Sequence, residues 1–200
     1  MRLLLLTLAC AGAVCFRVTG QTAQEPAQAG TALRMDVESL VDSADQIVEA
    51  RIVGRRTFVD EAGRLVTEYQ LDVDRDFLTG SQADRTVRIP GGVLNSGRGL
   101  MLAGMPRIEV GEDVVLFLNG EELCMPTGLA QGKFRLITDR TGMRRAVRNA
   151  ANLELLSAQG GSAGHGGVDS LTYAELSARV QARVVQRQAS EAFQTPSEQR

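Results

Sequence analysis

The most informative stretch of the sequence is residues 90–134, PGGVLNSGRGLMLAGMPRIEVGEDVVLFLNGEELCMPTGLAQGKF. Glycine-rich turns separate short apolar runs here, a composition typical of short strands joined by tight turns. Residues 114–118 form a nearly continuous apolar run that ends at Asn119 and Gly120, which predicts a strand buried on both faces. We therefore expect residues 90–134 to form the closing half of a small antiparallel β-barrel.

The residues before this stretch predict a short helix and a long hairpin. Apolar residues at 37, 40, 41 and 44 recur at helical spacing after Asp36, a good N-cap. From Gln46 the period becomes two, and turn residues at 60–63 separate two strands. The second strand is expected to bury one face, formed by Leu65, Thr67, Tyr69, Leu71, Val73 and Phe77. Its other face is expected to be solvated and carries Glu68, Gln70, Asp72, Asp74 and Asp76.

The residues after this stretch predict one more strand and a second helix. Phe134, Leu136 and Ile137 favour a strand, and the Gly/Ser-rich composition of residues 151–168 is typical of a flexible linker. A capping box formed by Thr172 and Glu175 begins a C-terminal helix over 169–188, and residues 189–200 are expected to be a disordered tail. The predicted fold class is thus mainly β with flanking helices. Residues 35–150 are expected to form a small antiparallel OB-like β-barrel domain that includes the short N-terminal helix.

The amino terminus predicts export. The apolar run after Arg2 has the length of a signal peptide, so residues 1–20 are interpreted as a cleaved signal and residues 21–34 as a disordered leader. The small residues at 18–20 suit cleavage before Gln21, and those at 11–13 are the alternative cleavage site. An uncleaved anchor is the alternative, although the run is short for a membrane span. Neither Cys10 nor Cys15 has the leucine three positions earlier that lipidation requires. We expect a secreted or periplasmic protein, not a lipoprotein, with no transmembrane segment after cleavage.

Charge and cysteine content exclude several function classes. The chain has 22 basic and 24 acidic residues and a formal net charge of −2, so nucleic acid is not expected as a partner. After signal cleavage Cys124 is the remaining cysteine, which excludes an internal disulfide. One histidine and one cysteine are too few for a zinc site, and we expect neither a metal nor a cofactor.

Three motifs suggest chemistry but fail on context. Residues 160–164 (GGSAG) match a nucleophile elbow beside His165, but lie in the Gly/Ser-rich segment rather than between a strand and a helix. Residues 72–76 lack the later glycine and glutamate of a calcium loop. Residues 128–133 are one residue too short for a phosphate-binding loop and are followed by strand-like residues. A nucleophilic pair of Cys124 and His165 is the remaining alternative to a packing role for the thiol. We therefore predict no catalytic residues and a protein that is not an enzyme.

The loop from residue 91 to residue 107 is the candidate binding surface. It mixes flexible, apolar and charged side chains between glycines, which suits an adaptable contact. The alternative is that the glycines serve tight turns alone. The candidate binding residues are Asn95, Arg98, Met101, Met105 and Arg107.

A stripe of arginines follows the C-terminal helix at residues 179, 183 and 187. This spacing is typical of the solvated face of an amphipathic helix. Contact with an acidic partner or a lipid surface is the alternative.

Three separated blocks carry a resemblance to known proteins. Residues 43–53 (SADQIVEARIV), 111–118 (GEDVVLFL) and 128–134 (GLAQGKF) resemble a group of exported bacterial proteins without an assigned activity. More distantly, the first block resembles the OB-type barrel of netrin-like domains and tissue inhibitors of metalloproteinases. Those inhibitors use an amino-terminal cysteine and disulfides, which this chain lacks, so their mechanism is not implied.

Together these features predict an exported, non-enzymatic binding module whose partner is an extracytoplasmic protein or a surface polymer. A secreted protease inhibitor acting through a barrel loop is the alternative. A hydrolytic enzyme is more distant, because it requires carboxylates such as Glu68 and Asp72 to converge in a pocket.

Overall fold

The structure is a computed structural model that describes residues 29–194. The signal peptide predicted at 1–20 lies outside the described residues, as do residues 21–28 of the predicted leader and residues 195–200 of the predicted tail.

The described chain is mainly β with two α-helices, which confirms the predicted fold class at this level. The first half contains β1 (Gly30–Leu33), α1 (Val37–Ser43), β2 (Gln46–Val59), β3 (Leu65–Asp76), β4 (Arg85–Pro90), β5 (Gly92–Val93) and β6 (Gly99–Leu100). The second half contains β7 (Asp113–Asn119), β8 (Met125–Pro126), a 3-10 helix (Leu129–Gly132), β9 (Lys133–Thr138), β10 (Arg144–Asn149), β11 (Leu153–Leu156), β12 (Ser162–His165), β13 (Val168–Thr172) and α2 (Tyr173–Gln194).

The main sheet is antiparallel and has the strand order β13-β10-β9-β7-β2-β3-β4, with β8 also paired to β7. The predicted barrel closure is not confirmed, because β13 and β4 are the two ends of an open path. The second side of β9 pairs with β10 and is therefore not free to pair with β4. One backbone hydrogen bond of 2.7 Å, from Cys124 N–H to the Arg88 carbonyl, joins β4 to the segment between β7 and β8.

Hydrophobic cores lie on both faces of the central strands. On one face, α1 and α2 cover a cluster that includes Ile47, Phe117 and Phe134, whose two phenyl rings have centroids 5.9 Å apart. On the other face, Val48, Leu116 and further residues of β2, β3, β4 and β7 form a second cluster. Residues 114–118 are fully buried, which confirms the predicted strand with two buried faces.

The pairing of β2 with β3 corrects the predicted faces of β3. Ala50 pairs with Val73 and Glu49 with Arg75, so Asp74 is the extra residue of a bulge. Beyond a bulge the alternation of side chains is reversed. Asp76 is therefore buried rather than solvated, and Phe77 packs against the helix-covered cluster rather than with Val73.

The buried carboxylate of Asp76 is satisfied by the turn that follows. It accepts hydrogen bonds from the backbone N–H groups of Leu78 (2.9 Å) and Thr79 (3.1 Å) and from the Arg85 guanidinium (2.8 Å). Burial opposes ionisation, but these donors together hold the pKa of Asp76 below its ordinary value. Asp76 thus ends the hairpin as a turn anchor.

The structure also corrects the linker predicted over residues 151–168. β11 pairs in parallel with β1 and antiparallel with β12, forming a separate three-stranded sheet. Leu153 and Leu155 are buried on one side of β11 with Glu154 exposed between them. The sequence prediction missed this alternation because the glycine-rich residues beside it are typical of a linker. Residues 30–33, predicted as leader, form β1, and residues 168–172, predicted as linker and helix start, form β13.

The last helix packs on the sheet and on α1. Leu176, Val180 and Val184 are buried in the helix-covered cluster. The Thr172 hydroxyl accepts a hydrogen bond from Glu175 N–H at 3.1 Å, which is one of the two hydrogen bonds of the predicted capping box. α2 extends to Gln194, six residues beyond the predicted end at 188. Within residues 29–194, no helix is both long and apolar enough to cross a membrane.

The arginine stripe of α2 contacts α1 instead of forming a purely solvated face. Arg179 pairs with Glu38 and Arg183 with Asp42, and Arg187 donates to the carbonyls at the end of α1, Val41 and Ala44. The spacing prediction missed these pairs because α1 lies beside α2 and presents its carboxylates to the stripe.

Candidate functional site

The candidate loop is built around a short hairpin, residues 92–100. In the ladder between β5 and β6, Gly92 pairs with Leu100 and Val93 with Gly99. Residues 94–98 form the connecting turn, in which Leu94 N–H bonds to the Arg98 carbonyl at 2.8 Å. The hairpin belongs to neither of the larger sheets.

The base of the short hairpin is fixed to the β2–β3 hairpin. Gly91 N–H bonds to the Leu65 carbonyl at 2.8 Å, and the Thr67 hydroxyl donates to the Gly91 carbonyl at 2.7 Å. Gly92 has φ +129°, and a Cβ there would overlap Thr67 Oγ1 and lie 2.8 Å from Thr57 Cγ2. A glycine is therefore required at 92 by both backbone conformation and space.

The hairpin exposes apolar side chains. The exposed fractions are 56% for Val93, 46% for Leu100 and 88% for Met101. Val93 lies over Gly99, since a Cβ on Gly99 would come within 2.9 Å of Val93 Cγ2. Leu100 pairs with Gly92, the neighbour of Val93 on the same strand. Because adjacent residues of a strand point to opposite faces, Val93 and Leu100 lie on opposite faces of the ribbon.

The structure separates the five predicted binding residues into two groups. Asn95, Arg98 and Met101 are exposed in or next to the hairpin. Met105 is half-buried against the second core cluster, and its carbonyl accepts a hydrogen bond from Asn152 at 3.1 Å. The Arg107 side chain is exposed and pairs with Glu109 at 2.7 Å. Val93 and Leu100 were missed, although each directly follows the glycine that begins its short strand.

A second surface feature was also missed: a cross-strand row of charges on β2, β3 and β4. Arg56 pairs with Glu68, and Glu68 pairs with Arg88, in the registers of the two strand pairs. The distances from Nε are 2.5 Å for Arg56 to Glu68 Oε1 and 2.9 Å for Arg88 to Glu68 Oε2. Both guanidiniums also contact the Phe58 ring, 4.8 and 5.8 Å from its centroid. We call Arg56, Phe58, Glu68 and Arg88 the arginine row.

Burial differs sharply within the arginine row. The Glu68 side chain is 7% exposed, whereas those of Arg56 and Arg88 are 66% and 43% exposed. The hydrogen bond from Arg56, followed by that from Arg88, holds the pKa of Glu68 below its ordinary value despite burial. Glu68 was predicted to be solvated. It is buried because arginines from both neighbouring strands cover it, whereas Asp72 is exposed.

Two further ionic clusters have structural partners. Glu49 accepts hydrogen bonds from Tyr173 Oη at 2.5 Å and Arg144 Nη1 at 2.9 Å, which ties α2 to the sheet. Lys133 donates to the Arg107 carbonyl and to Glu112, and burial is the main cause that lowers the pKa of Lys133. The Lys133 ammonium is thus engaged inside the protein and is not presented to a phosphate.

The remaining motif residues lie in different parts of the fold. Cys124 lies in the second core cluster, where burial raises the pKa of its thiol, and its Sγ contacts the Gly120 carbonyl at 3.4 Å. His165 is exposed on β12, opposite Glu154 of β11. Residues 160–164 enter β12 rather than a strand-to-helix turn. Among the described residues, no group of three or more His, Cys, Asp or Glu side chains is placed to hold a metal ion.

Comparison of the chain with protein-family models, with curated proteins and with solved structures gives no significant match. The resemblance to exported bacterial proteins and to netrin-like domains therefore stays a prediction.

Proposed function

We propose that this chain is an exported, non-enzymatic binding module on an OB-like scaffold, and that it binds an extracytoplasmic protein through the short hairpin. The supporting observation is the exposure of Val93, Leu100 and Met101 on a ribbon with a fixed base. The main sheet supplies the antiparallel pairing that an OB-like scaffold uses, and its strand path is open.

The physical argument for a protein partner is the apolar character of the hairpin. Burying one side chain of this size contributes roughly 1.5–3 kcal/mol. Protein interfaces place such side chains at their centre and polar residues at their rim. Asn95 and Arg98 supply polar groups at the hairpin turn. A surface polymer offers less apolar area to this ribbon, which is why we favour a protein.

The test is a quantitative capture of proteins from the extracytoplasmic fraction of the source cells. The wild-type chain is compared with Val93→Ser/Met101→Ser. Val185→Ser is the matched control, since Val185 is 65% exposed on α2, outside the hairpin. We expect one protein to be retained by wild type and control, and to bind the hairpin variant at least about tenfold more weakly. Equal retention by all three chains, or no specific protein, would contradict the proposal.

The capture experiment also tests protease inhibition, and a second experiment tests export. Because an exposed hairpin can also serve as an inhibitory loop, a protease captured through residues 92–101 would identify the alternative function. Its inhibition is then titrated directly. Amino-terminal sequencing of the exported chain is expected to show cleavage near residue 20. Recovery of the chain with Met1 in the cytoplasm alone would contradict export.

A further inference from the structure

We infer that the arginine row binds an acidic side chain, aspartate or glutamate, of the protein partner. This inference rests on the proposed function, because it names the chemistry of that partner beside the hairpin contact.

The arginine row has unused donors. Each guanidinium uses Nε to bind Glu68. Within residues 29–194, the terminal Nη atoms of Arg56 and Arg88 have no hydrogen-bond partner. Both side chains are substantially exposed, so these atoms can reach a carboxylate from outside. A guanidinium offers five N–H donors in a planar fork that matches carboxylate geometry.

The arginine row is also held in place before any ligand arrives. Strand register fixes Arg56, Glu68 and Arg88 side by side, and the Phe58 ring packs against both guanidiniums. Such side chains lose less conformational entropy on binding than free surface arginines do. Two positive charges and one negative charge leave the row with a net charge of +1.

The surrounding sequence favours an acidic partner as well. Residues 85–108 contain four arginines and no lysine, aspartate or glutamate, although the whole chain has a net charge of −2. Arg85 and Arg107 are paired with Asp76 and Glu109. Arg88 shares the single carboxylate of Glu68 with Arg56, and Arg98 is exposed, so these arginines make the surface of this segment positive.

The row and the short hairpin lie within reach of one partner. Arg88 and Val93 are five residues apart, so their Cα atoms are at most about 18 Å from each other. A standard interface buries about 800 Å² on each side, which corresponds to a patch roughly 30 Å across. Phe58 of the arginine row pairs across the strands with Val66, and Val66 pairs with Pro90, which lies two residues before the hairpin. One protein can therefore contact the apolar hairpin and place a carboxylate on the arginines.

The test uses hexaglutamate as the probe and follows the arginine Nε–H signals of the folded protein by NMR. We expect hexaglutamate to shift the signals of Arg56 and Arg88 at low salt, and hexaglutamine to leave them unchanged. Arg56→Gln and Arg88→Gln are each expected to weaken binding about tenfold. Arg51→Gln is the matched control on β2, because Arg51 is 53% exposed and pairs with Asp113; this variant should bind like wild type. Arg88→Lys keeps the charge without the fork and should fall between wild type and Arg88→Gln.

The outcomes separate this inference from the proposed function. Absence of shifts at Arg56 and Arg88, or equal weakening by Arg51→Gln, would overturn the inference, since attraction would then be absent or non-specific. Tighter binding of oligogalacturonate at the same arginines would also overturn it, in favour of an acidic carbohydrate. Val93→Ser/Met101→Ser should retain hexaglutamate binding. If the protein partner is captured through the hairpin but Arg56→Gln and Arg88→Gln do not affect its affinity, the inference alone fails. If hexaglutamate binds as expected but no protein is captured, the proposed function fails.

Discussion

Replacing Tyr173 with phenylalanine should loosen the attachment of α2 to the sheet without changing its packing. Tyr173 is the first residue of α2, and its hydroxyl donates to Glu49 Oε2 at 2.5 Å. Glu49 is 3% exposed, and its other oxygen binds Arg144. Phenylalanine keeps the ring, which stacks 4.4 Å from the Arg144 guanidinium, and removes the hydroxyl alone.

The loss in the free energy of unfolding depends on which partners Glu49 keeps in the variant. A hydrogen bond to a charged group contributes about 1.5–3 kcal/mol net, and a buried acceptor without its donor loses the same order of free energy. Arg144 continues to neutralise Glu49, and Tyr173 is half-buried, so the middle of this range applies. We expect Tyr173→Phe to lower the free energy of unfolding by about 2 kcal/mol. For a domain of this size, the melting temperature should fall by roughly 4–8 °C.

Urea unfolding followed by circular dichroism measures this loss, and the chain supplies its own control. Tyr69, the other tyrosine, has no hydrogen bond from its hydroxyl among the described residues. Tyr69→Phe should therefore change the free energy of unfolding by less than about 0.5 kcal/mol. A Tyr173→Phe protein as stable as Tyr69→Phe would refute the argument that this hydroxyl carries the contact. In Glu49→Gln/Tyr173→Phe, the two losses should be less than additive, since both remove one interaction.

Three further predictions address titration, backbone and thiol chemistry. Burial raises the pKa of both Tyr69 and Tyr173, and Glu49 adds to the effect at Tyr173. Absorbance at 295 nm should thus show tyrosine ionisation at a higher pH in the folded than in the urea-unfolded chain. The free energy of unfolding should fall above about pH 10, because the unfolded state releases these protons first. A titration midpoint of the folded chain at or below that of the unfolded chain would contradict this. Gly92→Ala should lower the free energy of unfolding more than Gly63→Ala does. At Gly63 an added Cβ meets open space, so the cost is that of the backbone at φ +77° alone, about 1 kcal/mol. Equal losses in urea unfolding would show that the Thr67 contact is unimportant. Cys124 is 1% exposed, and burial raises the pKa of its thiol. In a chain beginning at Gln21, which leaves out Cys10 and Cys15, a disulfide reagent should therefore react far more slowly before unfolding than after it. Similar rates would place the thiol at the surface.

Much of the secondary structure could be predicted because local patterns determine it. The N-cap at Asp36, the helical spacing after it and the apolar run at 114–118 each depend on a few neighbouring residues, and the structure has α1 and β7 there. The bulge at Asp74 could not be found in this way, since it exists only relative to the paired strand β2. The strand β11 was hidden by the glycines around it, and its parallel partner β1 is more than a hundred residues away in sequence.

The candidate site shows the same division between local and long-range information. Glycine spacing placed Asn95, Arg98 and Met101 in a surface loop, and the structure has them in or beside the short hairpin. The arginine row has no signal within any one strand, because its members come from β2, β3 and β4. A search for it requires the strand registers, which in turn depend on the bulges.

Glu68 has opposing effects on the arginine row. Its carboxylate lowers the net charge from +2 to +1 and so weakens the long-range attraction for an acidic partner. It also binds Nε of both arginines and so ties the two guanidiniums to one carboxylate despite their mutual repulsion. Glu68→Gln should therefore strengthen the salt-dependent encounter with hexaglutamate while reducing the difference in affinity between hexaglutamate and oligogalacturonate. Measuring both affinities at two salt concentrations decides whether the orientation of the arginines or the net charge of the row dominates. A Glu68→Gln protein that keeps the wild-type preference at both salt concentrations would show that Glu68 has no orienting role.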